Sequence, residues 1–423
     1  VEIVRENPYR LATDIWGVGF KTADDLGMRL GIDPASVKRA AGALRYTLQQ
    51  LSQEGHVGVP QDEALAQTLQ VPNLPESVLG DAVEQMRQQD ELVREPGSPP
   101  WLYLKPLFLA ELGLARLIIG LQNEPHPLPR FDLESTLQRI EQKMGLRLAR
   151  GQRDALADAT RQKVLVLTGG PGTGKSTIVR GLLELFSAFK QRCLLCAPTG
   201  RAAKRLSETT GREAKTIHRL LEFDGAFGGF KRTMDHKLDC DLLVVDEASM
   251  VDVPLMYQLL RAVPHHACVV LVGDMDQLPS VGPGTVLADL IASKVVGVAR
   301  LTEIFRQAEQ SWIVRAAHAI RQGERPESAP AGGEGDFYFV EADTPQKILD
   351  RLMRMVRERI PQRFRLDPLR DIQVLTPMNR SELGTLALNQ YLQELLNPPG
   401  NKPEIERFGW RFRSLFDQQL VQQ

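Results

Sequence analysis

Hydrophobic runs and amphipathic helical patterns alternate through the middle of the chain, from about residue 148 to 322. Short runs of β-branched and aliphatic residues, typical of buried strands, are each followed by a segment with helical periodicity. Because parallel strands need a crossover between them, this rhythm predicts a doubly wound parallel α/β sheet. The predicted strands are residues 163–168, 193–197, 242–246, 268–272 and 297–301.

The first 107 residues follow a different pattern, of mostly short amphipathic helices, and form a predicted N-terminal region 1–107. Gly17-Val-Gly19 separates two helical stretches, which favours a helix–hairpin–helix, with an ordinary pair of antiparallel helices as the alternative. Helix–hairpin–helix elements direct backbone N–H groups at a DNA phosphate without reading sequence, so Gly17 and Gly19 are candidate DNA contacts. Two short strands, at 91–94 and 101–104, indicate a small winged-helix-like unit.

Two further segments separate the predicted domains. Residues 108–147 hold helices and a linker with a stiff Pro-rich turn. The first α/β domain would then cover residues 148–322. Residues 323–336 are rich in Gly, Pro, Glu and Ala, which predicts a loop or hinge after that domain.

A second, partial α/β domain is predicted over residues 323–423. Its evidence is a pair of strand patterns, at 337–340 and 372–376, around a helical stretch at 345–361. The pattern stops early, and residues 398–423 add only a basic and aromatic segment.

Candidate chemistry is concentrated in a glycine-rich turn after the first predicted strand. The sequence GxxxxGK[ST] runs from Gly169 to Ser176, between a strand pattern and an amphipathic helix. Glycines let consecutive N–H groups curl around a phosphate, and the helix start adds its positive dipole end. We therefore expect ATP with Mg²⁺ here, rather than a plain strand–helix turn. The candidate nucleotide ligands are Gly170, Pro171, Gly172, Thr173, Gly174, Lys175, Ser176 and Thr177.

Four side chains in this loop and a second motif have the chemistry of phosphoryl transfer. Lys175 offers a point charge for the β- and γ-phosphates, and Ser176 offers a hydroxyl to Mg²⁺. Asp246 and Glu247 follow an apolar run, at a strand end where open parallel sheets place their ligands. Asp246 is the candidate Mg²⁺ ligand through water, and Glu247 the candidate base for the attacking water. The alternative, a strand end with solvated acids, is disfavoured by the preceding phosphate loop.

Other motifs narrow the class of enzyme. Gln277 lies in Gly-Asp-Met-Asp-Gln-Leu-Pro, where a neutral amide could touch the γ-phosphate and report hydrolysis. Thr199 and Arg201 follow a strand and begin a helix, which suits one backbone phosphate of a nucleic acid. His218 is a candidate nucleic-acid contact or, equally, a helix-cap or packing residue. Gln152 could read the edge of an adenine with both ends of its amide.

Composition constrains the partners. The chain has 52 basic and 53 acidic residues, so any nucleic-acid site must be a local groove. No apolar run approaches the roughly 20 residues of a membrane span, so no membrane partner is expected. Cys193 and Cys196 form a C-x-x-C in a strand pattern without a second pair, which favours core residues over zinc ligands. Reduced cysteines and the lack of a signal-peptide pattern predict a cytoplasmic protein, and a start at Val1 indicates a piece of a longer one.

Taken in order, these motifs resemble those of superfamily 1 DNA helicases. The matching strings are Gln152, the phosphate loop, APTGRAAKRL, TIHRLL, DEASM, GDMDQLPSVGPG, LTEIFRQ and VLTPMNRSELGTLALN. The chain looks most like the RecD branch and, with its N-terminal extension, like the stand-alone RecD-like helicases. The resemblance covers about residues 140–395 well and 1–130 loosely. It implies two RecA-like motor domains, fuelled by ATP and Mg²⁺, that move 5′ to 3′ on single-stranded DNA.

The resemblance also implies roles for residues that the pattern alone leaves open. Arg306 in LTEIFRQ would reach the γ-phosphate, where an arginine supplies about 10³–10⁵ in rate. The Gly- and Phe-rich stretch within 223–240 would be an inserted pin hairpin, or else a surface loop, with Phe227 as a candidate DNA contact. Asn379 is a further candidate DNA contact. The implied partners are single-stranded DNA and single-strand/duplex junctions, bound by a monomer.

The late helicase motifs have no counterpart, including the V-H-[RK]-[AS]-Q-G string and a final T-R-A-R-type arginine. We therefore expect this chain alone to bind ATP, hydrolyse it slowly and not unwind DNA. Three other functions compete: an RNA-acting P-loop ATPase, an ATPase switch that binds DNA or protein, and a non-catalytic DNA-binding module. The intact Lys175, Asp246 and Glu247 argue against the last, and DNA-stimulated ATP hydrolysis would discriminate the others.

Overall fold

The chain divides into two units, Val1–Pro326 and Glu327–Gln423, in the computed structural model. The structure describes residues 7–15, 18–226, 228–303, 311–329, 335–398, 404–407 and 410–413. None of the helices within these ranges is both long and apolar enough to cross a bilayer.

Short helices and a small antiparallel sheet form the N-terminal region. After a 3₁₀ turn at Pro8–Arg10, its elements are α1 (Leu11–Asp14), α2 (Phe20–Arg29), α3 (Val37–Gln53), β1 (Gly58–Pro60), α4 (Gln61–Thr68), a 3₁₀ turn at Glu76–Val78, α5 (Leu79–Gln88), β2 (Leu92–Glu95) and β3 (Trp101–Leu104). The sheet has the order β1-β3-β2 and is antiparallel. This confirms the two predicted short strands and adds β1, whose three residues are too few to show a period.

A buried ion pair fixes α2 against α3. Arg39 is 4% exposed, and its Nε and Nη2 donate to the two carboxylate oxygens of Asp24 at 2.8 and 2.9 Å. The same guanidinium donates to the carbonyl oxygen of Pro72 at 3.0 Å, and the hydroxyl of Tyr9 donates to Asp24 at 3.0 Å. Burial, with this hydrogen bond to Asp24, raises the pKa of Tyr9 above its usual range. The helix–hairpin–helix region is therefore anchored by a desolvated, fully hydrogen-bonded charge pair.

The rest of the first unit is built around a parallel sheet. Its elements are α6 (Lys105–Asn123), α7 (Leu133–Met144), α8 (Arg150–Ala159), β4 (Val164–Gly169), α9 (Lys175–Ala188), β5 (Cys193–Ala197), α10 (Gly200–Thr210), β6 (Ala214–Thr216), α11 (Ile217–Leu220), β7 (Phe223–Asp224), β8 (Gly229–Phe230), β9 (Leu242–Val245), a 3₁₀ turn at Ala248–Met250, α12 (Val253–Arg261), β10 (Cys268–Gly273), α13 (Val286–Ser293), β11 (Gly297–Leu301) and α14 (Trp312–Arg321). The strand order is β11-β4-β10-β9-β5-β6, and each neighbouring pair is parallel. All five predicted strands are confirmed, and β6 is an additional edge strand.

Alternate residues of the central strands point to two hydrophobic cores. In β4, Val164 and Val166 belong to the core on one face, while Leu165 and Leu167 belong to the core on the other. Helices α6 and α12 cover the first face, and α8 and α9 cover the second. Because both faces are buried, the strands read as continuous apolar runs, which is why they were predictable.

The cysteines of the C-x-x-C lie within this core. Cys196 is buried in β5 and Cys193 is half-buried, and both are free thiols. Burial raises the pKa of Cys193 to about 11. The interpretation of this pair as strand residues is therefore confirmed.

The N-terminal region packs directly on the sheet domain. A Cβ at Gly284, in the sheet domain, would lie 2.9 Å from Cγ2 of Val57 in the N-terminal region. The N–H of Gly284 donates to the carbonyl oxygen of Gly55 at 2.8 Å. Gly284 has a φ of +92°, which only glycine adopts easily. The N-terminal region therefore contacts the loop that runs from β10 to α13.

The predicted hairpin within 223–240 is present. Strands β7 and β8 pair antiparallel, with Phe223 opposite Phe230. Phe227 lies outside the described residues. The role of this hairpin as a pin stays a prediction.

The second unit is mainly helical where it is described. Its elements are α15 (Pro345–Arg354), a π-helical turn at Met355–Arg359, α16 (Ile360–Phe364), α17 (Thr385–Leu396) and the antiparallel pair β12 (Glu404–Arg407) and β13 (Trp410–Arg413). The helical stretch at 345–361 is confirmed, but the strands predicted at 337–340 and 372–376 are wrong. Phe339 and Leu375 are 49% and 82% exposed. Neither segment has a ladder partner in the described part of this unit, and an apolar pattern without a ladder does not make a strand.

Candidate functional site

The phosphate loop connects β4 to α9 at the carboxyl edge of the sheet. Gly172 and Gly174 both have a φ of 78°, a left-handed conformation that glycine adopts without strain. Thr173 is 3% exposed, and its Oγ1 donates to the carbonyl oxygen of Gly170 at 2.8 Å. These contacts shape the backbone into a concave turn, as a phosphate cradle requires. The other predicted loop ligands in this turn and the first turn of α9 are Pro171, Ser176 and Thr177.

Lys175 opens α9 and folds back onto the loop. Its Nζ donates to the carbonyl oxygen of Gly169 and, at 3.2 Å, to that of Gly170. Burial lowers the pKa of Lys175, and three carboxylates on neighbouring loops oppose that shift. A bound phosphate would replace neutral carbonyl acceptors with charged ones, whose hydrogen bonds are roughly twice as strong. The ammonium therefore lies against the loop that is predicted to bind phosphate.

The two predicted acids follow β9, which is separated from β4 only by β10. The N–H of Asp246 donates to the carbonyl oxygen of Cys196 at 2.9 Å, and the N–H of Glu247 donates to Oδ1 of Asp246 at 3.0 Å. Burial raises the pKa of both carboxyls, and the charge of Asp246 raises that of Glu247 further. Glu247 has a φ of 50°, and such left-handed non-glycine residues cost about 1–3 kcal/mol and collect at functional sites. A raised pKa also suits a residue that must accept a proton.

The loop after β10 lies between the phosphate loop and the two acids. Asp274 is 3% exposed, and its Oδ1 accepts a hydrogen bond from the N–H of Asp276 at 3.1 Å. Gln277 follows with an exposed side chain at the same edge of the sheet, and its contact with a γ-phosphate stays a prediction. The buried Asp274 was not among the predicted site residues, yet its charge raises the pKa of Lys175. Its position in the Gly-Asp-x-x-Gln string was the available signal.

Gln152 is buried in the first turn of α8, at 4% exposure. Its Oε1 accepts a hydrogen bond from the N–H of Ala149 at 3.1 Å, which caps the helix. One end of the amide is therefore already engaged in the fold. We therefore expect only the NH₂ group of Gln152, and not both ends of its amide, to hydrogen-bond with an adenine.

The donor set at this edge fits Mg²⁺. No cluster of three or more metal-ligating His, Cys, Asp or Glu side chains occurs in the described parts of the chain. Mg²⁺ does not need one, since it binds through one or two protein oxygens, phosphate oxygens and waters. Ser176 would supply a hydroxyl from the first turn of α9. Asp246 would supply a carboxylate from the end of β9, two strands away from β4 in the sheet.

The candidate nucleic-acid contacts follow β5, the next strand beyond β9. Thr199 caps α10, with its Oγ1 accepting a backbone N–H at 3.3 Å, and Arg201 lies exposed in the first turn. Arg205, one turn later, was missed by the sequence analysis, although its charge lowers the pKa of Asp246 and of Glu247. The spacing of Arg201 and Arg205 places both on one helix face, which was the available signal.

His218 packs against the hairpin. Its ring centroid is 5.8 Å from that of Phe223 and 5.5 Å from that of Phe230, and the two phenyl rings are 5.2 Å apart. Phe223 is 53% exposed. The packing alternative for His218 is therefore realised, and its contact with DNA stays a prediction. The cluster also presents aromatic faces, on which a base gains about 1–3 kcal/mol by stacking.

The remaining predicted residues are dispersed. Gly19 caps α2 with φ of −84°, and among the described residues no heavy atom beyond its two chain neighbours lies within 4 Å of where a Cβ would be. Asn379 belongs to the second unit, where its carbonyl oxygen accepts a hydrogen bond from the N–H of Leu386 at 3.3 Å. Gly17 and Arg306 lie outside the described residues.

The three loops after β4, β10 and β9 define the class of this protein, a P-loop nucleotide-binding domain with an α/β fold. A family model described as an AAA domain matches residues 152–283, which contain all three loops. A second, described as the ATP-dependent RecD2 DNA helicase HHH domain, matches residues 1–58. The helix–hairpin–helix prediction is thereby confirmed.

Two curated proteins and one solved structure show which individual proteins the chain resembles. The chain is 36% identical over 398 residues to an ATP-dependent RecD2 DNA helicase of Deinococcus radiodurans, covering 91% of this chain and 53% of that protein. It is 36% identical over 285 residues to the RecBCD enzyme subunit RecD of Mycolicibacterium smegmatis, covering 60% and 51%. A solved Pif1 helicase from Candida albicans aligns at 25% identity with a TM-score of 0.34, covering 43% and 46% of the two chains. The chain is thus similar in sequence to RecD-like helicases, and it spans about half the length of the curated relatives that it matches.

Proposed function

We propose that this chain is the ATP-driven motor region of a DNA helicase that moves 5′ to 3′ on single-stranded DNA. The observation that supports the proposal is the alignment of four loops along one edge of the sheet, after β4, β10, β9 and β5. The first three loops suit ATP hydrolysis, and the fourth suits a nucleic-acid backbone. A motor needs these sites side by side, because each hydrolysis event must change its grip on the strand.

The residues of the first three loops have separate roles in ATP hydrolysis. Lys175 would hold the β- and γ-phosphates, and Ser176 and Asp246 would hold a Mg²⁺ ion, which would supply neutralisation of the phosphate charge. Glu247 accepts a proton from the attacking water as the water oxygen bonds to the γ-phosphorus. The bond from that phosphorus to the bridging oxygen breaks, and ADP and inorganic phosphate remain. In this scheme the Gln277 amide contacts the γ-phosphate and responds to its cleavage, and Arg306 neutralises the negative charge of the phosphoryl group during transfer.

Nucleic-acid binding is assigned to α10 and to the hairpin. Thr199 and Arg201 would hold one backbone phosphate at the start of α10, with no reading of sequence. Arg205, on the same helix, interacts electrostatically with Asp246 and Glu247. A shift of α10 on binding DNA would therefore change the field at the catalytic acids. This gives a physical route by which DNA could stimulate ATP hydrolysis.

Two other elements are proposed to act on duplex DNA. The hairpin of β7 and β8, buttressed by His218, would split the strands at a single-strand/duplex junction. The N-terminal helix–hairpin–helix, with Gly17 and Gly19, would hold a DNA backbone. We further propose that the protein acts as a monomer in the cytoplasm, where its free thiols stay reduced.

ATP hydrolysis in the presence of nucleic acid tests this proposal. The full-length protein that contains this chain is assayed with single-stranded DNA, with RNA of the same sequence and with neither. We expect DNA to stimulate turnover more than RNA does. Equal stimulation by RNA would favour an RNA-acting ATPase, and no stimulation by either would favour a protein-binding switch.

Two substitutions assign the chemistry within the same assay. Lys175→Ala should weaken ATP binding and abolish turnover. Glu247→Gln should bind ATP normally but not hydrolyse it, because an amide cannot take the proton of water. Lys143→Ala, on the exposed surface of α7, is the matched control and should behave as wild type. A Glu247→Gln protein that hydrolyses ATP would refute the assignment.

A further inference from the structure

A cavity of about 320 Å³ lies beside the phosphate loop and extends beyond the nucleotide site described above. Its lining includes Thr168, Gly169 and Gly170 on one side and Asp276, His318 and Arg321 on the other. Two of these residues carry buried polar atoms with no hydrogen-bond partner within the described structure, Oγ1 of Thr168 and Nε2 of His318. Thr168 is 3% exposed as a whole. Buried polar atoms are almost always paired, and both of these atoms belong to residues that line one cavity, so a polar ligand bound there would supply the partner that each lacks.

The position of the cavity relates it to the γ-phosphate end of the nucleotide site. The carbonyl oxygens of Gly169 and Gly170 hold the ammonium of Lys175, which is the group that reaches β- and γ-phosphates. The same two glycines line the cavity. Asp276 also lines it, one residue before Gln277. The cavity is therefore next to the place where a γ-phosphate would be cleaved.

Helix α14 supplies the far wall and keeps it close to the loop. Cε1 of His318 lies 3.3 Å, and Nη1 of Arg321 3.7 Å, from where a Cβ of Gly170 would be. Arg321 Nη1 also pairs with Oδ2 of Asp276 at 3.1 Å, and Arg300 contributes a second cation to the lining. The lining therefore carries two guanidinium groups against one carboxylate.

The chemistry of the lining selects a small oxyanion. A threonine hydroxyl can donate or accept, a histidine Nε2 does either according to its tautomer, and a guanidinium only donates. A hydrogen phosphate ion both accepts and donates, so it can satisfy all three, whereas an ammonium or apolar group cannot. The volume leaves room for such an ion with several waters, each of which takes about 30 Å³.

We propose that this cavity is a product site, in which Thr168, His318 and Arg321 hold inorganic phosphate after cleavage and before release. The inference rests on the proposed ATP hydrolysis and adds a separate binding step to it. Thr168 and His318 act on the departing ion and not on the attacking water. Their removal should leave cleavage unchanged and shorten the lifetime of the state that holds both ADP and phosphate.

The first test measures inorganic phosphate binding at equilibrium, so it does not depend on turnover. Phosphate is titrated by calorimetry into the full-length protein saturated with ADP and Mg²⁺. Thr168→Val keeps the shape but removes the hydroxyl, and His318→Gln keeps a polar side chain while changing its reach. Each should weaken phosphate binding by about 10-fold or more, as loss of one hydrogen bond to a charged group would. Thr160→Val, outside the cavity at the end of α8, is the matched control and should bind phosphate as wild type does.

The second test separates cleavage from release in a single turnover. Chemical quenching follows cleavage, and a fluorescent phosphate sensor follows release. We expect unchanged cleavage and release faster by about 10-fold in both cavity variants. Phosphate affinity equal to wild type in Thr168→Val and His318→Gln would overturn the proposal. Slower cleavage with unchanged release, or weaker ADP binding instead of weaker phosphate binding, would also overturn it.

The two proposals fail in different ways. If the protein binds phosphate through Thr168 but never hydrolyses ATP, the proposed motor function is wrong and the oxyanion site stands. If it hydrolyses ATP but phosphate affinity does not depend on Thr168 or His318, the motor function stands and the product site is wrong.

Discussion

Removal of the Arg39 guanidinium should loosen the N-terminal helix–hairpin–helix region while leaving the sheet domain intact. The side chains of Arg39 and Asp24 are 5% and 16% exposed, so Arg39→Met leaves a carboxylate largely buried without its cation. It also removes the donors to the carbonyl oxygens of Pro72 and Pro34, at 3.0 and 3.2 Å. Breaking one side of a buried ion pair costs about 3–5 kcal/mol. Amide exchange in α2 and α3 should therefore accelerate by about 150-fold to about 5,000-fold, at 1.36 kcal/mol per tenfold change.

Hydrogen–deuterium exchange resolved by peptide is the suitable assay, because a protein with several domains does not unfold in one step. Peptides from β4 and β10 should exchange as in wild type. Arg87→Met removes an exposed ion pair with Glu84 and should change exchange nowhere in α2 or α3. The double variant Asp24→Asn/Arg39→Met should lose less than the two single losses added together, because the uncompensated charge is gone. Unchanged exchange in α2 and α3 of Arg39→Met would refute the role of this pair.

Burial and then the charge of Asp246 raise the pKa of Glu247, which must be deprotonated to accept a proton from water. The rate of ATP hydrolysis should therefore fall on acidification, with a midpoint above the usual glutamate pKa of about 4.3. A pH–rate profile that stays flat down to that value would contradict this. Arg201→Ala should weaken binding of all single-stranded sequences alike and make the salt slope shallower by about 0.7, the value for one phosphate contact. A change in sequence preference in the same titration would argue against a backbone contact. Replacement of residues 223–232 by a short Gly-Ser bridge should abolish unwinding while DNA-stimulated ATP hydrolysis persists; unwinding at the wild-type rate would make the hairpin an ordinary surface loop.

The sheet and its phosphate loop could be predicted because their signals are local. A strand buried on both faces is a continuous apolar run, and a phosphate loop needs glycine at fixed offsets. The strand patterns at 337–340 and 372–376 failed for the opposite reason, since whether such a run becomes a strand depends on a partner far away in sequence. Strands β1 and β6, with three residues each, are too short to show any period.

Parts of the candidate site depend on contacts between distant residues and could not be predicted. Nothing in the local sequence shows that the side-chain oxygen of Gln152 caps α8. His318 lies nearly 150 residues after Gly170 in sequence, yet both line one cavity. Arg205 was within reach, since it lies one turn after Arg201. Its interaction with Asp246 and Glu247, however, requires β5, which precedes α10, to pair with β9, which precedes the two acids.

Strand displacement from tailed duplexes tests the central claim most directly. The full-length protein that contains this chain is given ATP, Mg²⁺ and duplexes that carry a single-stranded tail on either the 5′ or the 3′ end. We predict displacement of the partner strand from the 5′-tailed duplex and little from the 3′-tailed one, with none by Glu247→Gln. Displacement mainly from the 3′-tailed duplex would contradict the direction of movement. DNA-stimulated ATP hydrolysis without displacement from either duplex would contradict the helicase itself.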